Sequence, residues 1–242
     1  MTTNLKDVAS WGAGWQASGN WKAHTVDAAD AVRLTDGYLA YLAACCGWQS
    51  ARDAQSCGLD IGAGAGYVAA AFAQHGLQMV ATEWNDAGLE LIARENPALE
   101  MRKLDILTFA DKAAWDLIFC RELYPFTRVN EFTSQLAMVS ALLDGLRPGG
   151  VIVLSGSAVQ WPHCTDYALL IETLRRDPRV AMARAQYPEA LIRRCRFGRW
   201  GGLGALAYRA IAVALWPLMA YKRRFRRWAM INAIVIRRKA VA

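Results

Sequence analysis

Several patterns that define common protein classes are missing from this sequence. It contains 6 cysteines but no C-x-x-C pair, and no paired Cys and His spacing that would indicate zinc, so no metal site is predicted. The N-terminus lacks the basic and then apolar layout of a signal peptide. Only 7 prolines and 19 glycines are spread through 242 residues, which excludes collagen-like and low-complexity chains. A reducing, cytoplasmic setting is therefore expected.

Acidic residues are absent from the C-terminal part of the chain. The net charge is +7, but residues 1–192 hold 15 Lys and Arg against 21 Asp and Glu, whereas residues 193–242 hold 13 Lys and Arg and no acid. A mildly acidic body is thus followed by a basic tail. Such a tail favours an anionic partner, for example a membrane surface, a nucleic acid or a phosphorylated substrate.

The composition is that of a folded protein. Apolar residues make up 55% of the chain, and their burial can offset the entropy lost on ordering the backbone, which excludes a disordered chain. The length predicts one large domain, with or without a small appendage. Residues 1–50 form a Trp-rich entry segment and residues 51–242 the main domain, which includes a basic, apolar insertion at 199–228.

Short apolar runs alternate with helical stretches from residue 57 onwards. The runs are too short for independent helices, and they predict strands at 57–61, 78–82, 99–104, 117–120 and 151–155. Helices are predicted at 27–46, 67–74, 86–95, 131–143 and 166–175. Pro148 and the two glycines after it predict a helix stop and a tight turn into the strand at 151. This alternation implies right-handed βαβ crossovers and a parallel sheet with helices on both faces.

The strongest local signal is a glycine-rich turn after the first predicted strand. Gly62, Gly64 and Gly66 follow Ile61, and a helix is predicted to begin at Tyr67. Glycine lets the backbone turn sharply and approach a ligand with no Cβ in the way. Tyr67 stands where a dinucleotide-binding G-x-G-x-x-G fingerprint has its third glycine. A tight strand-to-helix connection without a ligand would give the same pattern.

Acidic residues follow the next strands. Glu83 comes directly after the second predicted strand, 23 residues beyond Asp60. A carboxylate there can accept both hydroxyls of a ribose, and Trp84 can pack beside the adenine. A lone Glu at a strand end is more often a solvated acid, but the glycine turn upstream makes binding the better interpretation. Asp105 ends the third strand, and a polar loop, 121–125, follows the fourth.

In this order and spacing, the motifs resemble the class I S-adenosylmethionine (SAM)-dependent methyltransferases over about residues 55–155. The strand-like stretch 229–236 is similar to the final antiparallel strand of that family. The resemblance implies an α/β, Rossmann-like sheet of seven mostly parallel strands in the order 3-2-1-4-5-7-6, with helices on both faces. It also implies SAM as the cofactor, an N-terminal helical lid, and the insertion placed before the last strand.

The resemblance assigns the methionine part of the cofactor to two places. Asp60 and the turn that ends at Gly66 are similar to the first family motif, which cradles the methionine portion. Cys120 and Arg121 resemble the position after the fourth strand whose backbone meets the methionine amine.

The nucleoside part falls on the second and third strand ends. Glu83 resembles the acid that holds the ribose diol, and Trp84 occupies the adenine-packing position. Asp105 resembles the residue that bonds the adenine amino group, with the Ile106 backbone beside it. The full cofactor-binding set implied in this way is Asp60, Gly62, Ala63, Gly64, Gly66, Glu83, Trp84, Asp105, Ile106, Cys120 and Arg121.

Few residues are candidates for acid–base chemistry. Methyl transfer from a sulfonium disperses charge, so the protein mainly has to align the nucleophile, methyl and sulfur in a dry site. A hydroxyl or phenol acceptor also gains from a base near neutral pH. Glu122, Tyr124 and His163 follow strands that end at the expected site, and they are the predicted catalytic residues. His24 lies in the predicted lid, and His75 is interpreted as a helix-end partner.

The stretch 203–221 is nearly uncharged and lies between two groups of basic residues. Its length could just reach across a bilayer core, but Arg209 and Pro217 inside it argue against a span. Three interpretations stay open: an insertion packed on the body or on a second subunit of a homodimer, a helix lying on an anionic membrane surface, and, less favoured, an RNA-binding patch. In the membrane interpretation the lipid-contacting residues are Trp200, Leu215, Trp216 and Phe225.

The sequence therefore predicts a methyltransferase that acts on a small-molecule, glycan or lipid-linked acceptor through an oxygen or nitrogen nucleophile. It is expected in the cytoplasm, with peripheral attachment to the inner face of the membrane. The alternatives are an RNA methyltransferase that uses the basic tail, and a catalytically silent scaffold. The Asn-Pro-Pro-Tyr signature of amino-group methylation on nucleic acids is absent, because residues 121–125 read Arg-Glu-Leu-Tyr-Pro. This absence makes a nucleic-acid acceptor less favoured.

Overall fold

A computed structural model describes residues 26–48, 56–127, 131–155, 167–186 and 233–240, together with positions 203, 206, 207, 210, 211 and 214. The strands are β1 (Cys57–Ile61), β2 (Gln78–Glu83), β3 (Glu100–Lys103), β4 (Trp115–Arg121), β5 (Leu146–Ser155), β6 (Val180–Gln186) and β7 (Ala233–Arg238). The helices are α1 (Ala28–Cys46), α2 (Tyr67–Gln74), α3 (Asp86–Glu95), α4 (Tyr124–Thr127), α5 (Phe132–Gly145) and α6 (Tyr167–Arg175). A short 3-10 helix, Ile106–Thr108, follows β3.

The seven strands form one sheet in the order β3-β2-β1-β4-β5-β7-β6. β1 pairs in parallel with β2 and β4, β2 with β3, and β4 with β5. β7 runs antiparallel to both of its neighbours, β5 and β6. The strand order and the single reversed strand implied by the family resemblance are confirmed.

Helices cover both faces of the sheet. Successive strand residues point to opposite faces, so Phe119 packs with α1 and α2, whereas Ile118 packs with α5 and α6. Tyr38 and Phe72 meet the Phe119 ring edge-on, with ring centroids 5.3 and 5.5 Å away. These contacts lie beneath β1 and β4, the strands whose carboxyl ends carry the predicted site.

Helix α1 belongs to the core. Asp27 caps its first turn, and Leu34, Tyr38 and Leu42 are fully buried against the sheet. The helix therefore packs under the sheet and does not cover a site. The lid predicted for the N-terminal segment then rests on residues 1–25, which lie outside the described part of the chain, and the domain boundary at residue 50 stays a prediction.

The two edge strands return the chain to α1. Gln186, the last residue of β6, pairs with Ala233, the first residue of β7. From β6, Arg184 donates a hydrogen bond to the Cys45 carbonyl oxygen at 2.9 Å, at the C-terminal end of α1. The antiparallel edge and the first helix are thus joined at the end of α1, where backbone carbonyls would otherwise lack partners.

The six described positions of the insertion are helical and have two unlike sides. Ala207 and Ile211, four residues apart, pack against the core cluster that contains α1 and α2. Leu203 and Leu206 are 75% and 65% exposed, and Ala210 and Ala214 are exposed as well. None of the helices in the described ranges is both long enough and apolar enough to cross a membrane.

Most predicted boundaries are confirmed, but β5 begins earlier than expected. β1, α2 and α3 have the predicted ends, and most other ends differ by one or two residues. The stretch predicted as a turn before residue 151 is part of β5, because Leu146 pairs with Trp115 and Val151 with Leu117. The four intervening residues are accommodated by a register shift.

The antiparallel edge was the least predictable part. The run that forms β6 was not predicted as a strand, and the last strand lies at Ala233–Arg238 instead of 229–236. Alanines at alternate positions give β6 little strand propensity of its own. Its pairing with β7 supplies the missing stabilisation.

Candidate active site

The glycine turn after β1 has a left-handed backbone. Gly62, Gly64 and Gly66 have φ angles of +72°, +60° and +80°, a conformation that costs other L residues about 1–2 kcal/mol each. The N–H groups of Gly62 and Ala63 both donate to the Thr82 carbonyl oxygen, at 3.0 and 2.9 Å. The turn is therefore anchored to the end of β2.

Gly66 also answers a packing requirement. A Cβ at this position would lie 3.1 Å from a Leu99 methyl and 3.3 Å from an Ile92 methyl. The next residue of concern, Ala65, has its carbonyl oxygen bonded by Asn96 Nδ2 at 2.7 Å. The start of α2 is thus held closely against α3 and the loop that follows it.

Glu83 ends β2 and directs its carboxylate towards the glycine turn. Its Oε1 atom accepts a hydrogen bond from the Gly64 N–H at 2.7 Å. Burial raises the pKa of Glu83 from 4.5 to about 7, although the N–H groups of Gly64 and Trp84 act in the opposite direction. A ligand hydroxyl that donates to this carboxylate would favour its charged form.

Asp60 is the second buried acid of the site. Burial, and then the negative charge of Glu83, raise the pKa of Asp60 from 3.8 to about 7, while the Arg121 guanidinium and the Ala69 N–H lower it. Within the described part of the chain, its Oδ2 atom has no hydrogen-bond partner. Because buried polar atoms nearly always have one, this oxygen indicates the place of a donor on a bound ligand.

The residues after β2 and β3 border the same edge of the sheet. Trp84 is exposed immediately beyond Glu83. Asp105 caps the 3-10 helix, since its Oδ1 accepts the Leu107 N–H at 2.9 Å. Ile106 is buried beneath that turn. The turn itself therefore orients the Asp105 carboxylate.

The segment after β4 is fixed by two hydrogen bonds. Glu122 has a left-handed φ of +53°, which is uncommon outside glycine, and its N–H donates to the Ser155 carbonyl oxygen at 2.7 Å. The buried Gln135 donates from Nε2 to the Pro125 carbonyl oxygen at 2.8 Å. Burial raises the pKa of the Cys120 thiol well above its ordinary value, so this thiol is neutral and unsuited to act as a nucleophile.

The remaining candidates fall in different places. His75 caps the C-terminal end of α2, and its Nε2 atom lies 2.8 Å from Asp36 Oδ1, which confirms its role as a helix-end partner. Tyr124 begins α4, but its side chain lies outside the described part of the structure, as do His24 and His163.

Three residues that the sequence reasoning missed help to shape the site. Thr82 donates its Oγ1 hydroxyl to the Asp60 carbonyl oxygen at 3.0 Å. Gly88 lies directly against the side chain of Glu83, and Gln135 holds the loop after β4. A glycine inside a predicted helix is a signal that could have found Gly88. The other two depend on contacts between distant parts of the sequence.

The arrangement fits SAM. The carboxyl ends of β1, β2 and β4 bring Asp60, Glu83 and the loop after β4 to one edge of the sheet, where ligands bind in open α/β folds. SAM offers ribose hydroxyls and an ammonium group as hydrogen-bond donors, and two adjacent acids, one with a donor-less buried oxygen, suit such a ligand. The glycine turn leaves space beside them.

Comparisons with known proteins agree with this fit. Residues 59–154 match the protein family described as "Methyltransferase domain". The plantazolicin methyltransferase BpumL in complex with SAH is 12% identical, with a TM-score of 0.58, over 93% of this chain and 90% of that one. SAM-bound CalS10, an amino pentose methyltransferase from Micromonospora echinaspora, is 25% identical, with a TM-score of 0.43, over 58% of this chain. The chain covers 55% of the CalS10 chain. A search of curated proteins finds no match.

The fold and the site define a nucleoside-binding, Rossmann-like α/β domain. The strand order and the family match place the chain in the class I SAM-dependent methyltransferase family, with SAM as the cofactor. The assignment of single residues to parts of the cofactor stays a prediction.

The two buried acids predict a pH dependence of stability. Because the folded-state pKa of Asp60 is raised to about 7, the cofactor-free protein loses stability as pH rises from about 4 to about 7 through this group. Asp60→Asn removes that loss, so it should gain stability relative to wild type over this range. Urea unfolding of both proteins at several pH values measures the difference. Parallel pH profiles would contradict the raised pKa.

Proposed function

We propose that this protein transfers a methyl group from SAM to an oxygen or nitrogen nucleophile of a small-molecule, glycan or lipid-linked acceptor. The observation that carries the proposal is the pair of buried acids, Asp60 and Glu83, beside a left-handed glycine turn. SAM supplies an activated methyl group on its sulfonium. The Glu83 carboxylate would hold the ribose, and Asp60 with the turn would hold the methionine part.

The loop after β4 would place the acceptor. Its hydrogen bonds to Ser155 and from Gln135 limit the movement of Glu122, and such preorganisation keeps the reacting atoms aligned. For a hydroxyl acceptor, we propose that Glu122, Tyr124 or His163 removes the proton as a general base. An amine acceptor needs only to be bound in its neutral form.

Two measurements test the proposal. Calorimetry should show SAM binding and no comparable binding of nicotinamide or flavin dinucleotides; the reverse result would overturn the cofactor assignment. Turnover of SAM labelled on its methyl group, with panels of phenols, amines, glycans and lipid-linked sugars, should show transfer to one class. SAM binding with no turnover on any panel would favour the scaffold alternative, and transfer to RNA would favour the nucleic-acid one.

We also propose that the insertion brings the enzyme to an anionic membrane surface. Leu203 and Leu206 are highly exposed, while Ala207 and Ile211 anchor the other side of these helical positions to the core. The 13 cations and absent acids of residues 193–242 supply the complementary charge. Basic residues attract an anionic leaflet by about 1 kcal/mol each when close to it, and exposed leucines supply an apolar contact that salt does not screen.

Vesicle co-sedimentation tests the membrane proposal. Wild type should bind phosphatidylserine vesicles, weaken with salt without losing all binding, and prefer them to neutral vesicles. The double variant Leu203→Asp, Leu206→Asp should bind about tenfold more weakly or worse, because each buried leucine contributes about 1.5–3 kcal/mol. Leu169→Asp, at an exposed leucine of α6 on the other face of the sheet, is the control. No wild-type binding, or equal loss in the control, would contradict the proposal.

A further inference from the structure

Gly88 occupies a position where glycine is unfavourable. It is the third residue of α3, and its N–H donates to Asn85 Oδ1 at 2.8 Å, the hydrogen bond that caps the helix. Inside a helix, glycine is disfavoured relative to alanine because it loses more backbone freedom on folding. The φ angle of Gly88 is not among the positive ones, so the backbone conformation does not require glycine. The requirement must come from the surrounding space.

Glu83 takes up that space. A Cβ on residue 88 would lie 2.7 Å from Glu83 Cγ, 2.9 Å from its Cβ and 3.1 Å from its Cδ. Carbon atoms pack favourably at about 3.5–4.0 Å, so all three contacts would be too short. The side chain of Glu83 therefore lies flat across the first turn of α3, in the room that Gly88 leaves.

This path determines where the carboxylate ends. From its position over Gly88, Glu83 extends to the glycine turn, where Oε1 meets the Gly64 N–H at 2.7 Å. With a Cβ at residue 88, either the Glu83 side chain would rotate away from the helix or the start of α3 would move away from β2. Both changes would withdraw Oε1 from the Gly64 amide.

We infer that Gly88 is a positioning residue for cofactor binding: its missing side chain holds the Glu83 carboxylate against the Gly64 amide. This inference rests on the proposed role of Glu83 in binding the ribose. It makes Glu83 and Gly88 a coupled pair, in which the folded path of the acid requires a residue without a Cβ one helical turn further along the chain.

The test compares Gly88→Ala with Glu83→Ala, with the double variant, and with Glu90→Ala, which alters an exposed residue of the same helix. Two quantities are measured: the SAM affinity by calorimetry, and the hydrogen exchange of the Gly64 amide by NMR in the cofactor-free protein. Thermal melting checks that each variant is folded.

Gly88→Ala should weaken SAM binding by about 10- to 100-fold, since it displaces a charged hydrogen-bonding group. It should also raise the Gly64 exchange rate to that of Glu83→Ala, whereas Glu90→Ala changes neither. In the Glu83→Ala background, Gly88→Ala should change the affinity by less than about threefold, because no carboxylate is left to displace.

Wild-type affinity and exchange in Gly88→Ala would overturn the inference, and so would an undiminished effect in the Glu83→Ala background, which would show general damage to α3. Failure of the ribose role gives a different result. In that case Glu83→Ala would bind SAM as wild type does, while Gly88→Ala would still release the Gly64 amide.

Discussion

Gly62→Val is expected to abolish SAM binding, with an affinity loss of more than about 100-fold. Gly62 has a φ of +72°, which a β-branched residue adopts only under strain. Its N–H is committed to the Thr82 carbonyl oxygen, so the turn cannot relax without losing its anchor to β2. The valine side chain would also project from the turn that borders the two buried acids. Calorimetric titration with SAM measures the loss.

Gly76→Val is the matched control for this prediction. Gly76 has a similar φ of +88°, and within the described structure nothing lies within 4 Å of where its Cβ would be. It follows His75, at the end of α2 remote from the glycine turn. The control variant should lose stability through the same backbone strain but keep its SAM affinity. Equal affinity losses in both variants would attribute the effect to destabilisation alone.

Glu83→Ala is expected to weaken SAM binding by about 10- to 100-fold, because hydrogen bonds to a charged group contribute about 1.5–3 kcal/mol. The removed carboxylate also raises the pKa of Asp60, so the variant should let Asp60 ionise at a lower pH. The wild-type affinity should increase as pH rises towards about 7, since the ribose and ammonium donors favour ionised acids. Calorimetry at several pH values measures both effects.

Glu83→Gln separates charge from shape in this experiment. It retains the side-chain length that lies over Gly88 but removes the negative charge, so it should lose affinity and flatten the pH dependence of binding. Glu90→Ala removes an exposed acid from α3 and should match wild type. Unchanged affinity in Glu83→Ala would return this residue to the role of a solvated acid at a strand end.

The parts of the fold that local chemistry determines were predictable from the sequence. β1, α2 and α3 have their predicted ends because a glycine turn separates the first two and the Asn85 cap starts the third. The glycine turn and the acid at position 83 then come to one edge because parallel strands align their carboxyl ends. The order of these motifs was enough to imply the strand order.

Features that depend on long-range pairing were not predictable. β6 becomes a strand through its antiparallel partner, and the early start of β5 depends on the pairing of Leu146 with Trp115. The hydrogen bond from Thr82 to Asp60 and the packing of Gly88 against Glu83 require the folded arrangement of β1, β2 and α3. Alternating hydrophobicity indicates which residues are buried, but not which polar atom meets which.

The pairing of Gln186 with Ala233 places both ends of the insertion at a single point on the rim of the sheet. The entropy of closing a loop grows only slowly with its length, by about 0.6 kcal/mol for each doubling. The connection between β6 and β7 can therefore grow, shrink or be exchanged during evolution while the seven strands keep their order. The surface that decides where the enzyme resides and the edge that binds its cofactor are consequently free to diverge at different rates.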